Sequence, residues 1–292
     1  MLRSPPFIRL LLLDIRLLAR SKIFYYKLIL LPLVLVFILG SMFGDGAVQQ
    51  AAPAAAPGIP ASLAAVLNVE QVAVVAGPLN AVQYESVAMM VMFSILTAFE
   101  LAHSIVDDRL KGTLGRIRSS PLPVWEYSLG KLLGMTLAVC VQMTVVMAGA
   151  RLLFGVHWNH VPGVLLVTLA YGLAIGAIVL CCGLAAGSHS AISSMSTPIL
   201  YGFSFLGGSF ISKYSLPDGL RRIQELLPNG KALNAYLALQ RGGGLRDIRG
   251  DVLTLVALSL VFFTAAFFIS QKQGGYIHAA AVHNRQTNQA DV

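Results

Sequence analysis

The ionisable side chains of this sequence concentrate in one stretch, residues 107–121, which reads DDRLKGTLGRIRSSP and lies between two long apolar runs. Only 12% of the 292 residues are charged. Six charged residues nevertheless fall within twelve positions here: Asp107, Asp108, Arg109, Lys111, Arg116 and Arg118. Such a cluster can fix the orientation of a membrane protein, or it can set the choice and orientation of a docking partner. From the charges alone, both interpretations remain open.

Two more ionisable residues precede this stretch, near the inner end of an apolar run. Glu100 and His103 are expected either to anchor a helix at the headgroups or to gate a cytoplasmic substrate entrance, because ionisable residues inside a membrane are costly and usually functional. Together with Asp107 they form the one cluster that would suit a membrane enzyme acting on lipid. It is too sparse to name a reaction, and we predict no catalytic residue.

The histidines and cysteines do not predict a metal centre. His157 and His160 are two ligands in one short turn, fewer than a zinc site needs. Cys140, Cys181 and Cys182 lie inside apolar runs without zinc-ligand spacing, and we interpret them as small lipid-facing or core residues.

The sequence also lacks the phosphate-binding pattern of a nucleotide site. Gly130 and Lys131 are followed by Leu132, and Trp125 stands where the first glycine of the phosphate-binding pattern G-x-x-x-x-G-K-[ST] would be. We therefore expect no cofactor on this chain.

The composition predicts a polytopic membrane protein. Hydrophobic residues make up 56% of the chain, its mean hydropathy is positive, and the charged share is about half that of an ordinary soluble domain. The formal net charge of +8 does not favour nucleic acid, because the basic residues cluster at the ends of apolar runs, where they meet lipid headgroups.

The fold class expected is all-α, with an amino-terminal interfacial helix, six transmembrane helices and short external helices before the last span. Residues 1–27 carry Arg9, Arg16 and Arg20 on one stripe of a leucine-rich helix, which suits the membrane interface. The transmembrane domain is predicted at 28–270. Its spans are expected at 28–44, 86–106, 130–153, 161–187, 191–211 and 251–270.

Lysine and arginine in the flanking segments predict the orientation. The amino-terminal segment and the 107–131 segment are basic, whereas 41–85 has no Lys or Arg. Both termini, including the tail 271–292, are therefore expected in the cytoplasm. The membrane expected to hold the protein is the inner or plasma membrane. The external segment 212–250 opposes this assignment because it is also basic, although long translocated segments largely escape the rule.

The fourth predicted span carries a stripe of glycines, Gly172, Gly176, Gly183 and Gly187, within roughly 60° of a helical wheel. Small residues let helices approach closely in lipid. The stripe predicts either packing within one subunit or a seam between two.

The order of these features resembles the membrane subunit of type-2 ATP-binding-cassette (ABC) exporters. The resemblance rests on the acidic-basic lead-in, Gly112-Thr113, the following Leu-Gly-Arg, a Pro-Leu-Pro, and Gly130-Lys131 opening the next span. It extends to the interfacial helix, the six spans and the segment LPDGLRRIQELLPNG before the last span. The similarity covers about 5 to 270.

The resemblance implies that 107–121 is a coupling loop that docks on a separate ATPase subunit. The implied contact residues are Arg109, Lys111, Thr113, Leu114, Arg116 and Ile117. It also implies ATP and Mg on that partner, a second permease copy or paralogue, contact with membrane lipid, and short external helices in 212–250 that dip into the outer leaflet to close an exit.

A stand-alone secondary transporter or channel is the alternative hypothesis. That class usually has polar or broken helices at mid-membrane and inverted repeats, and neither is evident in this sequence.

Overall fold

A computed structural model describes residues 30–43, 81–113, 124–210 and 218–290 of the protein. Within these ranges the chain forms eight α-helices and no strand, which confirms the all-helical prediction for the described residues. The helices are α1 Leu31–Phe43, α2 Ala81–Leu110, α3 Val124–Phe154, α4 Val161–Ala185, α5 His189–Leu206, α6 Asp218–Gln224, α7 Pro228–Gln240 and α8 Leu245–Ala290. The predicted interfacial helix at 1–27 lies outside the described residues.

Four of these helices are long and apolar enough to cross a membrane. They contain the segments Val82–Leu110, Trp125–Phe154, Val161–Ala185 and Leu245–Gln271. At about 1.5 Å per residue, even the 25-residue segment exceeds the roughly 30 Å of hydrocarbon. A helix is the expected form, since it satisfies every backbone polar group internally in lipid.

The spans predicted at 28–44 and 191–211 correspond to shorter helices. α1 has 13 residues and α5 has 18, about 20 Å and 27 Å of helix. α5 also contains Pro198 and is rich in serine. The total of six spans therefore stays a prediction.

α4 forms the centre of the bundle and packs against α2, α3, α7 and α8. Its small residues permit this close packing. A Cβ atom at Gly172 would lie 3.3 Å from Thr136 of α3, one at Gly176 would lie 3.1 Å from Leu132 of α3, and one at Gly183 would lie 2.7 Å from Ile105 of α2. Gly187 follows α4 and has open space around it. Three members of the glycine stripe thus face helices of the same chain.

The bundle has two ends that bring different segments together. At the proximal end, defined by residues 104–113, 124–131 and 184–190, α2 and α4 finish and α3 and α5 begin. At the distal end, defined by residues 81–86, 154–163, 206–210 and 240–247, the Tyr84 hydroxyl donates to the Gly208 carbonyl at 2.5 Å. There the Asn159 amide also donates to the Gln240 carbonyl at 3.3 Å.

α7 enters the bundle from the distal end. The hydroxyl of Tyr171, ten residues beyond the start of α4 and so about 15 Å along its axis, lies 2.8 Å from Asn229 Oδ1. Tyr236 in turn contacts Thr168 at 2.7 Å. Among the apolar residues of 212–250, Leu233 and Tyr236 are buried, whereas Leu226 is 70% exposed. α7 therefore lies beside α2 and α4 inside the bundle, with Asn229 about 15 Å from the start of α4 along its axis.

Candidate functional site

Three consecutive charged residues, Asp107, Asp108 and Arg109, form the last turn of α2 at the proximal end. The helix ends here because Gly112 has φ +70°, a left-handed conformation that glycine adopts without steric cost. Consecutive residues on a helix point about 100° apart. The three side chains therefore reach different neighbours.

Asp108 joins α2 to α3 through a buried ion pair. Its Oδ2 atom lies 3.0 Å from Nζ of Lys131 and accepts a hydrogen bond from the Tyr127 hydroxyl at 3.1 Å. Lys131 is 2% exposed and also donates to Ser104 Oγ at 2.9 Å. A buried ammonium group is tolerated only when it is paired and hydrogen-bonded. In the sequence, this buried pair was indicated only by a single lysine at the start of an apolar run.

Arg109 joins α2 to the end of α4. Its Nη2 atom donates to the carbonyl of Leu184 at 2.6 Å and its Nη1 atom to that of Ala186 at 2.7 Å. Carbonyls at a helix C-terminus have no intrahelical donor, and the helix dipole makes that end attractive to a cation. The guanidinium group thus caps α4 with both arms of its planar fork.

Asp107 joins α2 to the start of α5. Its Oδ1 atom lies 3.2 Å from Nε2 of His189, and its Oδ2 atom lies 3.3 Å from Nζ of Lys111. His189 also meets His103, with 3.1 Å between the two Nδ1 atoms and 5.3 Å between the stacked ring centroids. One of these nitrogens must carry a proton and the other must not.

We call this arrangement the clasp. It comprises the side chains of Ser104, Asp107, Asp108, Arg109, Tyr127, Lys131 and His189 with the carbonyls of Leu184 and Ala186. The family resemblance implied Arg109 as a contact for the ATPase subunit, and sequence reasoning missed its contacts with α4 as well as the pairing of Asp108 with Lys131. It also missed His189. This residue could have been noticed because it is the one ionisable residue in the three-residue hinge Ser-His-Ser.

The predicted contact residues separate into three groups. Arg109 is turned into the clasp, whereas Lys111 and Thr113 are exposed at its edge. Leu114, Arg116 and Ile117 lie outside the described residues. Of the predicted gate or anchor pair, Glu100 is half-buried on α2, and His103 joins His189 next to the clasp.

The clasp is suited to holding helices together rather than to bond chemistry. Its carboxylates and bases contact one another. In the described part of the chain, no three His, Cys, Asp or Glu side chains are arranged to hold a metal ion. His160 instead caps α4, its Nδ1 atom accepting from the Gly163 amide at 3.1 Å.

α5 carries a second polar surface next to the clasp. Its exposed residues include Ser190, Ser194, Thr197 and Tyr201, which recur at intervals of three or four and so share one face. Ser193, also exposed, donates to the His189 carbonyl at 3.1 Å. A hydroxyl-bearing face of this kind suits contact with protein or with a polar pathway better than contact with lipid alone.

Comparison with known proteins assigns the chain. Residues 45–268 match the model of the family described as ABC-2 family transporter protein. The chain is also 28% identical over 169 residues to a daunorubicin resistance ABC transporter permease protein of Streptomyces coeruleorubidus. That match covers 56% of this chain and 58% of the relative, so the chain spans somewhat over half the length of the relative that it matches.

The family match covers more than half of the chain, and it agrees with the several apolar helices of a multi-pass membrane protein. The protein belongs to the ABC-2 transporter family.

Proposed function

We propose that this chain exports its substrate by working with separate ATPase subunits that bind the loop following α2. The single observation that carries the proposal is the clasp, because it ties the helix leading into that loop to α3, α4 and α5 at once. A push on the loop would therefore reach most of the bundle. ATP and Mg are bound on the partner.

The docking surface proposed is the exposed rim of the loop. Lys111 and Thr113 are exposed, and Leu114, Arg116 and Ile117 complete the surface that the resemblance implies. Apolar anchors would supply contact area while the basic residues orient the partner. We propose that both termini and this loop lie in the cytoplasm and that the protein resides in the inner or plasma membrane.

A second permease copy or paralogue is proposed to pack against α5. The hydroxyl-bearing face of α5 is exposed in the single chain, and two such faces would enclose a polar pathway. Since the matched relative is named for daunorubicin resistance, we propose amphipathic, drug-like molecules or lipids as the first substrates to examine.

The test is purification in mild detergent followed by mass spectrometry of the proteins that co-elute. We expect a cassette ATPase at about one copy per permease. Arg116→Glu should reduce that recovery, because it reverses a charge at the proposed docking surface. Arg246→Glu is the matched control, since Arg246 is an exposed arginine at the distal end.

The alternative is a stand-alone secondary transporter or channel. A permease that purifies alone, stays well folded and transports daunorubicin on an ion gradient without ATP would contradict the proposal and favour that alternative.

A further inference from the structure

We infer that Arg109 is a positioning residue through which movement of the loop after α2 reaches the hinge between α4 and α5. This inference rests on the proposed function, because it concerns how that function is transmitted. It differs from the role that family resemblance implies for Arg109, which is direct contact with the ATPase.

The last turn of α2 holds both sides of the hinge. Arg109 binds the final carbonyls of α4, at Leu184 and Ala186, whereas Asp107 binds His189, the first residue of α5. Between them lie Gly187, with open space around it, and Ser188, whose hydroxyl caps α5 by accepting from Ala191 N at 3.2 Å. The hinge is therefore short, and α2 contacts it on either side.

A second contact one turn earlier keeps α2 and α4 together. A Cβ atom at Gly183 would lie 2.7 Å from Ile105, so the two helices are in tight contact just before the Arg109 hydrogen bonds. Close packing and two short charge-assisted hydrogen bonds leave little room for independent movement. A displacement of the end of α2 would move the end of α4 with it.

The hydrogen bonds of Arg109 are made to backbone atoms rather than to side chains. Carbonyl oxygens cannot rotate away as a side chain can, so the force is applied to the main chain of the hinge. Only arginine offers a planar fork that reaches two carbonyls simultaneously, whereas lysine is a single point charge. Asp108 and Lys131 anchor the same turn of α2 to α3 on the other side.

The test uses two cysteine reporters in the permease–ATPase complex, with Cys140, Cys181 and Cys182 replaced by alanine. Leu110→Cys, at a 61% exposed position, reports on the loop side of Arg109. Ser190→Cys, at an exposed position, reports on α5. Labelling by a membrane-impermeant maleimide is compared between the nucleotide-free complex and the complex trapped with Mg-ATP and vanadate.

With Arg109 present, we expect the labelling rate of both reporters to change on trapping. In Arg109→Gln, the change at Leu110→Cys and the ATPase turnover should persist. The change at Ser190→Cys should fall by about five-fold or more, the lower end of typical coupling factors. Arg246→Gln, a matched loss of an exposed arginine, should leave both reporters responsive.

Arg109→Lys provides a second measurement, should Arg109→Gln not assemble. Because lysine donates from a single nitrogen rather than from the two ends of a planar fork, the Ser190→Cys response should be intermediate. An unchanged response in either variant overturns the inference. A folded Arg109→Gln permease that no longer binds the ATPase also overturns it, because Arg109 would then be a partner contact.

Failure of the proposed function gives a different result. In that case the permease with Arg109 intact would bind no ATPase at all, which removes the inference together with the proposal on which it rests.

Discussion

The proximal and distal ends of the bundle bury polar groups of different kinds. At the proximal end, Asp108 and Lys131 are charged and paired, and Arg109 satisfies two backbone carbonyls. At the distal end, α7 contacts its neighbours mainly through neutral groups. Among the described residues, the buried atoms without a hydrogen-bond partner include four in and beside α6 and α7, namely Asn229 Nδ2, Gln224 Oε1 and the hydroxyls of Ser204 and Ser209, and one at the proximal end, Glu126 Oε2.

This difference indicates different roles for the two ends. Paired charges fix one geometry, because breaking a buried pair leaves an uncompensated charge. Neutral groups with unused hydrogen-bonding capacity lose less when they rearrange. In the proposed exporter, the proximal end would keep its shape while it transmits movement, and the distal end would change shape.

The largest effect is expected from breaking the buried ion pair. Asp108→Asn should destabilise the protein by about 3–5 kcal/mol, because it removes the negative charge that lies 3.0 Å from the buried Lys131 ammonium. Denaturant unfolding in detergent measures the loss. Adding Lys131→Met should recover most of it, and a double variant no more stable than Asp108→Asn would contradict a specific pairing.

A smaller loss of stability is expected from a substitution where α6 and α7 approach each other. Gly230→Ala should cost about 1–3 kcal/mol, since the new Cβ atom would clash with the backbone carbonyl of Gln224. The control is Gly202→Ala in α5, where a Cβ atom meets nothing within 4 Å, and it should be neutral or stabilising. Equal stability of the two variants would indicate that close backbone approach does not hold the distal end.

Variants of two tyrosines test the hydrogen bonds of α7 one at a time. Tyr171→Phe should cost about 1–2 kcal/mol, because buried Asn229 loses the hydroxyl that lies 2.8 Å from its Oδ1 atom. Tyr236→Phe should cost about 0.5–1 kcal/mol, since its partner Thr168 still donates to the Val164 carbonyl. The same unfolding measurement compares them, and the reverse order would contradict this assignment.

The smallest effect is expected at the ion pair between α7 and α8. Lys231 Nζ and Asp251 Oδ1 are 3.1 Å apart, but both side chains are about one-fifth exposed. Water reaches Lys231, which is 20% exposed, but hardly reaches Lys131, which is 2% exposed. Lys231→Met should therefore cost about 0.5–1 kcal/mol, less than the loss of the Asp108–Lys131 pair. A loss as large as that of Asp108→Asn would show that both ends depend on charge, and the contrast between them would fail.

The sequence by itself determined the apolar helices. The runs around α2, α3, α4 and α8 appear as helices in the structure. α2, α3 and α8 extend beyond their predicted bounds, as with 86–106 against Ala81–Leu110, whereas α4 ends two residues before the predicted 187. The reason is local, because a long apolar stretch in lipid must satisfy its own backbone as a helix. The polar residues at each end remain helical where the chain emerges.

Only the tertiary structure decided what the charged residues contact. Arg109 and Ala186 are 77 positions apart, and no local pattern shows which carbonyls the guanidinium reaches. The insertion of α7 likewise depends on the meeting of Asn229 with Tyr171, 58 positions apart. Such contacts are fixed by which faces of α2, α3 and α4 pack together, and that packing depends on all the helices at once rather than on any one segment.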